Sequence, residues 1–148
     1  MKKLNGKVKK KKKIIPKTRR IKILKNKLLA IWGKISKLQQ GNCCQICKSD
    51  EYLNSHHVIP KSLKNSALKY DLTNAVVLCP SCHKYSYSIS AHKNPLIFFA
   101  WFKETYPMKY KYLLEHANDE KEYTEEELIQ LLEEMQEKYK ILLDTSTL

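Results

Sequence analysis

The sequence predicts an α+β protein, in which a small core of short strands lies between N-terminal and C-terminal helices. Three observations predict this class. Apolar residues recur at helical spacing in both end regions of the 148-residue chain. Short apolar segments in the middle region alternate with Pro and polar residues, as is typical of strands and loops. Two Cys-x-x-Cys pairs bracket that middle region and mark it as a separate unit.

Charge is distributed unevenly along the chain, whose formal net charge is +13. Residues 1–49 hold 17 basic and no acidic residues, whereas residues 115–148 hold 3 basic and 11 acidic residues. A strongly cationic segment suits a polyphosphate partner, because each neutralised phosphate releases counterions. We therefore expect a nucleic acid as partner. A Lys tract that only aids solubility and an anionic membrane surface are the alternatives.

Membrane insertion and secretion are not indicated. No apolar run approaches the roughly 20 residues that a membrane-spanning helix needs. No continuous apolar stretch follows the Lys-rich start, as it would in a secretory signal. We therefore expect a soluble, cytoplasmic protein with no membrane partner. In that reducing compartment, paired cysteines indicate a metal site rather than disulfides.

Four segments follow from these patterns. Residues 1–17 are low in complexity and rich in Lys, and we expect them to be a disordered basic arm. Residues 18–42 are predicted to form a basic amphipathic helix that closes near Gly41. Residues 43–93 form the predicted core, and residues 94–148 are predicted to be helical.

Within the core we predict strands over 54–59 and Ala75–Leu78, with polar loops over 61–73 between them. Pro60 would stop the first strand. A helix is predicted to start near 80–82, because Pro is tolerated in the first turn of a helix.

The C-terminal region carries three helix signals. Asn94-Pro95 predicts the cap and first turn of a helix that ends before Pro107, and a short helix is predicted over 109–116. Thr124-x-x-Glu127 is a capping box for a last helix. That helix has an apolar seam, which packs either on the N-terminal helix of the same chain or on a second subunit in a homodimer. The seam comprises Leu128, Leu132, Met135, Tyr139 and Leu142.

The two Cys-x-x-Cys pairs predict a structural zinc site. Cys44, Cys47, Cys79 and Cys82 supply four thiolates, which is the ligand set of a closed tetrahedral site. A redox pair or plain core cysteines are the alternatives, but duplication at matched spacing favours zinc. Cys43 is left over and is expected to take no part.

A second motif runs through the zinc motif. His56 and His57 are adjacent, 16 residues separate His57 from Asn74, and 8 separate Asn74 from His83. Neighbouring histidines on a strand point to opposite faces, so the pair can serve two roles. A module that only binds has no need of this set, which therefore indicates catalysis.

The stretches CQIC, SHHVIPKS and YDLTNAVVLCPSCH resemble an HNH endonuclease of the zinc-bound ββα-metal type, over about residues 43–90. A looser likeness on both sides is similar to phage recombination endonucleases of the NinG/Rap kind. The resemblance implies a ββα-metal core and a metal-dependent hydrolase of DNA that leaves 3′-hydroxyl and 5′-phosphate ends. It also implies action on branched intermediates such as Holliday junctions, although ordinary duplex DNA is equally compatible.

The resemblance also assigns roles to residues. His57 would be the general base, Asn74 would hold the loop that carries it, and His56 and His83 would ligate the catalytic divalent cation. His56 stands where the family often has Asp, and imidazole is a softer ligand than carboxylate. The catalytic cation could therefore be Mg²⁺ or Mn²⁺, or instead Ni²⁺ or Zn²⁺. Where some members have a further ligand this chain has Tyr87. His92 is a candidate substitute for that ligand, but we expect it to be a surface or helix-end residue.

Residues outside the motif have simpler roles. We expect Asp71 to fix the loop before Asn74 and His116 to lie at a helix end. Phe98, Phe99, Trp101 and Phe102 are expected in the core. The predicted phosphate contacts are Lys61, Lys84, Arg19 and Arg20, and Lys64 is a further basic neighbour of the motif. The alternative function is a zinc-structured nucleic-acid-binding module without catalysis.

Overall fold

The computed structural model describes residues 15–63 and 66–146. The helices and strands in chain order are α1 (Lys17–Gln39), β1 (Asn54–His57), β2 (Ala75–Leu78), α2 (Pro95–Thr105), α3 (Pro107–His116) and α4 (Glu125–Ser146). Two short 3₁₀ turns, Ala67–Tyr70 and Leu72–Asn74, precede β2, and one π-helical turn, Ser81–Tyr85, follows it. Most of the predicted basic arm, residues 1–14, and Lys64 lie outside the described residues.

Helix α1 lies where the apolar periodicity predicts a helix. It ends in two hydrogen bonds that cap its last carbonyls: Gly41 N–H donates to Leu38 O at 3.2 Å, and Asn42 N–H donates to Lys37 O at 2.8 Å. This pattern requires a left-handed residue after the helix. Gly41 supplies it with φ of 70°, so the predicted role of Gly41 at this end is confirmed.

Helix α4 packs along α1 of the same chain. Leu28 and Ile35 of α1 share one buried cluster with Leu128 and Leu132 of α4. The apolar seam of α4 is therefore used within the chain, which is the intramolecular one of the two predicted alternatives. In the predicted capping box, Glu127 N–H donates to the Thr124 hydroxyl at 3.2 Å.

Strands β1 and β2 form an antiparallel hairpin with His57 opposite Ala75 and Asn54 opposite Leu78. Strand β1 ends at His57, two residues before the predicted end. The physical reason is that the next amides turn to Asn74: its carbonyl accepts from Val58 N–H at 3.1 Å, and its side-chain Oδ1 accepts from Ile59 N–H at 2.7 Å.

The other edge of β2 is covered by the end of α1. The Gln40 side chain accepts from Val77 N–H at 2.8 Å and donates to Ala75 O at 3.1 Å. This pairing satisfies backbone groups that would otherwise be open on a two-stranded sheet. It also fixes α1 relative to the hairpin.

Helices α2 and α3 complete a second buried cluster on the far side of the hairpin. Phe98 and Phe102 are fully buried there with Leu113 and the cysteine region, and Trp101 packs partly buried against them. These aromatic residues are core residues, as predicted. The molecule is thus an α+β protein with a small antiparallel sheet and flanking helices. Within the described residues, no helix has the length and apolarity needed to cross a bilayer.

Candidate active site and metal centres

The four paired cysteines meet in one cluster. The sulfur atoms of Cys44, Cys47, Cys79 and Cys82 all lie within 4.8 Å of one another, and Cys47 Sγ lies 3.5 Å from Cys79 Sγ. Sulfur atoms that share a tetrahedral zinc ion at about 2.3 Å would be about 3.8 Å apart. The donor set and its spacing therefore fit a structural Zn²⁺. Cys43 lies outside the cluster, as expected.

Backbone amides around this cluster favour thiolate. Burial acts to raise the pKa of Cys44, but N–H groups of Cys47, Cys79 and Ile46 donate to its sulfur and lower that pKa to about 7. A structural metal requires deprotonated thiols. The turn that carries Cys44 is joined to the hairpin by the Gln45 N–H bond to Val77 O at 2.9 Å.

The two neighbouring histidines of β1 face opposite sides of the hairpin, as strand geometry predicts. His56 lies against the ring edge of Phe98, with ring centroids 5.5 Å apart. His57 stacks on Trp32 of α1, with ring centroids 3.8 Å apart. The two imidazoles therefore have different ring partners, although both residues line one cavity.

On the His56 side, three imidazoles converge. His56 Nδ1 lies 3.2 Å from His83 Nε2, and His92 Nε2 lies 3.1 Å from the same His83 atom. Their ligand atoms all lie within 4.8 Å of one another. Imidazole nitrogens are good ligands for Mn²⁺, Ni²⁺ and Zn²⁺. The donor chemistry of this cluster fits a second divalent cation.

The imidazoles of His56 and His83 are held in the neutral form that a metal ligand needs. Burial, followed by the neighbouring histidines, lowers the pKa of His56 to about 3. Burial, followed by His92 and Lys84, lowers the pKa of His83 to about 4. Near pH 7 the imidazoles of His56 and His83 are therefore uncharged, and each ring keeps a nitrogen lone pair that can bind a metal ion.

His92 reaches this cluster because the chain returns after the π-helical turn. Ala91 N–H donates to Cys82 O at 3.0 Å, and His92 N–H donates to His83 O at 3.1 Å. His92 is exposed, as expected, and its ring also lies beside His83, where it can take the place of the further ligand that the sequence left open as an alternative. No spacing rule predicts this, because the return of the loop depends on backbone hydrogen bonds.

The loop that carries His92 is closed by Asn94. Its side-chain amide donates to the carbonyls of Tyr87 at 3.1 Å and Ser88 at 3.3 Å. Asn94 is the N-cap residue of α2, as predicted, but its side chain makes no cap hydrogen bond, because the amide is engaged in this loop. Pro95 does stand in the first turn of α2, as predicted.

On the other side of the hairpin, His57 has one ring nitrogen engaged. His57 Nε2 lies 2.9 Å from Lys69 O, and since a carbonyl can only accept, the imidazole donates from Nε2. In the neutral ring the other nitrogen, Nδ1, then keeps its lone pair. Burial, followed by the charges of Lys61 and Lys69, lowers the pKa of His57 although the Lys69 carbonyl bond acts to raise it.

Asn74 joins the two segments that hold His57. It is fully buried, and its amide accepts from Ile59 N–H at 2.7 Å and donates to Ile59 O at 2.9 Å. The same amide donates to Leu68 O at 3.1 Å, next to the Lys69 carbonyl that orients His57. Asn74 therefore fixes both the segment after His57 and the loop whose carbonyl orients the His57 ring.

Asp71 and His116 also lie as predicted. The Asp71 carboxylate accepts from Thr73 N–H at 2.7 Å and from the Tyr112 hydroxyl at 2.7 Å, which fixes the turn before Asn74. His116 is the last residue of α3, and its Nδ1 lies 2.6 Å from Asp119 Oδ2. Neither belongs to a metal cluster of the described residues.

A cavity of about 370 Å³ brings the histidines and two of the predicted phosphate contacts together. His56, His83 and His92 line it together with His57. Lys61 and Lys84 also line it, so cationic side chains stand beside the imidazoles. The cavity therefore brings four imidazoles and two cationic side chains within reach of one ligand.

The two arginines predicted to contact phosphate lie elsewhere. Arg19 and Arg20 are near the start of α1, about 20 Å along the helix from Trp32 at 1.5 Å per residue. The Arg20 guanidinium pairs with the Glu125 carboxylate through bonds of 2.7 Å and 3.0 Å. Arg20 is thus engaged in the contact between α1 and α4, and its contact with phosphate stays a prediction.

Comparison with known proteins gives one family. Residues 44–87 match the family model of HNH endonucleases. The match covers all four clustered cysteines together with His56, His57, Asn74 and His83, and ends before His92. No curated protein and no solved structure matches the chain.

Proposed function

We propose that the protein is a metal-dependent endonuclease that hydrolyses phosphodiester bonds in DNA, since residues 44–87 match the family model of HNH endonucleases. One observation carries the proposal. An imidazole with a fixed tautomer, His57, lines the same cavity as the His56, His83 and His92 cluster. A zinc-structured module that only binds nucleic acid has no use for that pairing.

In the proposed reaction, His57 acts as general base. Its Nδ1 accepts a proton from a water molecule, while Nε2–H remains on the Lys69 carbonyl and keeps the ring oriented. The water oxygen bonds to phosphorus and the bond to the 3′-oxygen breaks. The leaving oxygen takes a proton from solvent, which gives 3′-hydroxyl and 5′-phosphate ends. Asn74 holds the geometry and contacts no reacting atom.

His56, His83 and His92 would hold the catalytic cation. A bound divalent cation neutralises the charge that builds on the phosphate in the transition state. Three imidazoles favour Mn²⁺, Ni²⁺ or Zn²⁺ over Mg²⁺, which prefers oxygen ligands. Lys61 and Lys84 would bind the phosphate from the rim of the cavity.

DNA is the proposed partner, and the cytoplasm is the proposed location. The likeness to phage recombination endonucleases favours branched DNA such as a Holliday junction. No feature of the described site distinguishes branched DNA from ordinary duplex, so ordinary duplex belongs in the same test.

The test is a cleavage assay with zinc-loaded protein on supercoiled plasmid and on a synthetic four-way junction. Mg²⁺, Mn²⁺, Ni²⁺ or Zn²⁺ is added singly, and reactions without added cation serve as the control. Omission is preferable to chelation, since a chelator would also strip the cysteine site. Cleavage that depends on the added cation is expected, fastest with a cation that imidazole favours. DNA binding without cleavage under every cation would instead identify a zinc-structured binding module.

A further inference from the structure

A groove beside the histidine cavity runs between α1 and β1. Its volume is about 290 Å³, and Gly33, Lys34 and Lys37 form its α1 wall. Asn54 and Ser55 of β1 form the opposite wall. No acidic residue lines the groove. The rest of its lining includes the apolar side chains of Leu29, Ala30, Trp32 and Leu53. It is therefore a cationic groove of mixed polar and apolar lining, and the proposed chemistry leaves it without a role.

The groove and the histidine cavity adjoin. Ser55, His57 and Lys61 line both of them. A ligand that extends past His57 from the cavity therefore enters the groove. A polymer that is cleaved beside His57 continues on both sides of the reacting phosphate. The groove provides a surface that can bind the chain on one of those sides.

The charge of the groove suits a phosphodiester backbone. Lys34 and Lys37 are three residues apart on α1, so they are neighbours on one face of the helix. Helix α1 contains no acidic residue that could neutralise them. Lys61 adds a third cation where the groove meets the cavity. Ammonium groups arranged in this way bind successive phosphates without reading bases.

Gly33 adds a steric argument. Gly is unfavourable in the interior of a helix such as α1, and the backbone of Gly33 is not in the left-handed region. A Cβ at this position would lie 3.7 Å from Ser55 Oγ, which is ordinary contact, so packing does not require glycine. The missing side chain keeps the groove open and lets a ligand backbone approach α1 closely.

We infer that this groove binds the DNA strand that continues from the cleaved phosphate, with Lys34 and Lys37 on its phosphates and Gly33 as its floor. The inference rests on the proposed endonuclease function for the identity of the ligand. It assigns α1, which precedes the matched segment 44–87, a direct part in substrate binding.

The first test measures how salt weakens the binding of a fluorescent DNA duplex to zinc-loaded protein, with no catalytic cation added. The variant is Lys34→Gln/Lys37→Gln. Its matched control, Lys138→Gln/Lys140→Gln, removes the same charge from exposed positions on α4. Loss of two phosphate contacts makes the slope of log K against log [salt] less steep by about 2, and the control keeps the wild-type slope.

The second test fills the groove without changing charge. Gly33→Leu is expected to lose DNA affinity, whereas Gly33→Ala, which only strengthens the helix, loses less. Hydrolysis of bis(p-nitrophenyl) phosphate, a small diester with no strand to extend into the groove, should fall less in Gly33→Leu than DNA affinity does. Circular dichroism verifies that each variant is folded.

Equal salt slopes for the two lysine pairs would overturn the inference, because the effect would then be one of overall charge. Wild-type DNA affinity in folded Gly33→Leu protein would overturn it as well. The proposed function fails separately, if wild-type protein cleaves neither DNA nor the small diester with any cation. The salt-slope comparison still decides whether DNA occupies the groove in that case.

Discussion

The indole of Trp32 lies nearly parallel to the imidazole of His57, with ring centroids 3.8 Å apart and planes inclined by 13°. Trp32 is itself fixed, since it is 2% exposed and its Nε1–H donates to Asp71 O at 2.9 Å. One face of the proposed base is therefore held by α1, a helix outside the matched segment 44–87. A second constraint on the same ring is the hydrogen bond from His57 Nε2 to the Lys69 carbonyl.

Replacing Trp32 by Leu should slow cleavage without preventing DNA binding. Leu keeps an apolar side chain in the core but removes the flat surface that orients His57, and misplacement of a reacting group costs about tenfold to a hundredfold in rate. Trp32→Phe, which keeps an aromatic face, should recover most of the rate. The measurement is single-turnover cleavage with DNA affinity determined in parallel.

Equal cleavage rates for folded Trp32→Leu and wild-type protein would show that the stack does not position the base. If Trp32→Phe were as slow as Trp32→Leu, the hydrogen bond to Asp71 rather than the stack would be the important contact. The three proteins should be compared at matched zinc content.

Asn74→Ala should lower the free energy of unfolding by about 2–4 kcal/mol, because buried backbone groups of Ile59 and Leu68 lose their partners. Asn74→Asp is a near-isosteric comparison. Its carboxylate can still accept from Ile59 N–H but cannot donate to either carbonyl, so it should not restore stability. Urea denaturation of the zinc-loaded proteins measures both values. If Asn74→Ala lowered the free energy of unfolding by less than about 0.5 kcal/mol, the Asn74 side chain would not be what holds these two segments together.

Cys79→Ser should unfold the protein. Apparent binding free energies of structural zinc are about 10–16 kcal/mol, as large as the total stability of an ordinary domain at about 5–15 kcal/mol. Cys43→Ser, one residue from the site but outside the cluster, is the control and should keep zinc and fold. Zinc content by mass spectrometry and circular dichroism report the two outcomes. A folded, zinc-free Cys79→Ser protein would exclude the structural zinc site.

His92→Ala should weaken binding of the catalytic cation by at least about tenfold, since even the loss of an outer-shell partner costs about 10–100-fold. His116→Ala removes a histidine at the end of α3, outside the cluster, and should bind the cation as wild type does. Calorimetric titration of zinc-loaded protein with Mn²⁺ or Ni²⁺ gives the affinities. If both variants matched wild type, His92 would be a neighbour of the site and not a ligand.

The sequence predicted the parts of this molecule that depend on local spacing. The thiols of Cys44 and Cys79 belong to pairs whose two-residue gap suits one metal, and the structure brings them together. The α1 stripe, the α4 capping box and the strand at Ala75–Leu78 follow from periodicity or from a short motif in the same way.

The sequence did not predict contacts that depend on how distant segments meet. His92 joins the cluster because a loop returns along His83, and Arg20 meets Glu125 because α4 lies along α1. Asn94 stands at the capping position of α2, but its side-chain amide donates to a carbonyl of the preceding loop instead of capping the helix. In each case the partner is distant along the chain or is contacted through backbone groups, and no pattern in the sequence indicates such a contact.

The most informative single measurement is the single-turnover cleavage rate of His57→Ala, alongside its zinc content and DNA affinity. His57 is proposed to transfer a proton and is not a ligand of the structural zinc. Cleavage should therefore fall by about 10²–10⁴-fold, while zinc content and DNA affinity stay close to those of wild type. Wild-type cleavage by the zinc-loaded variant would contradict the account and would place the base elsewhere in the cavity.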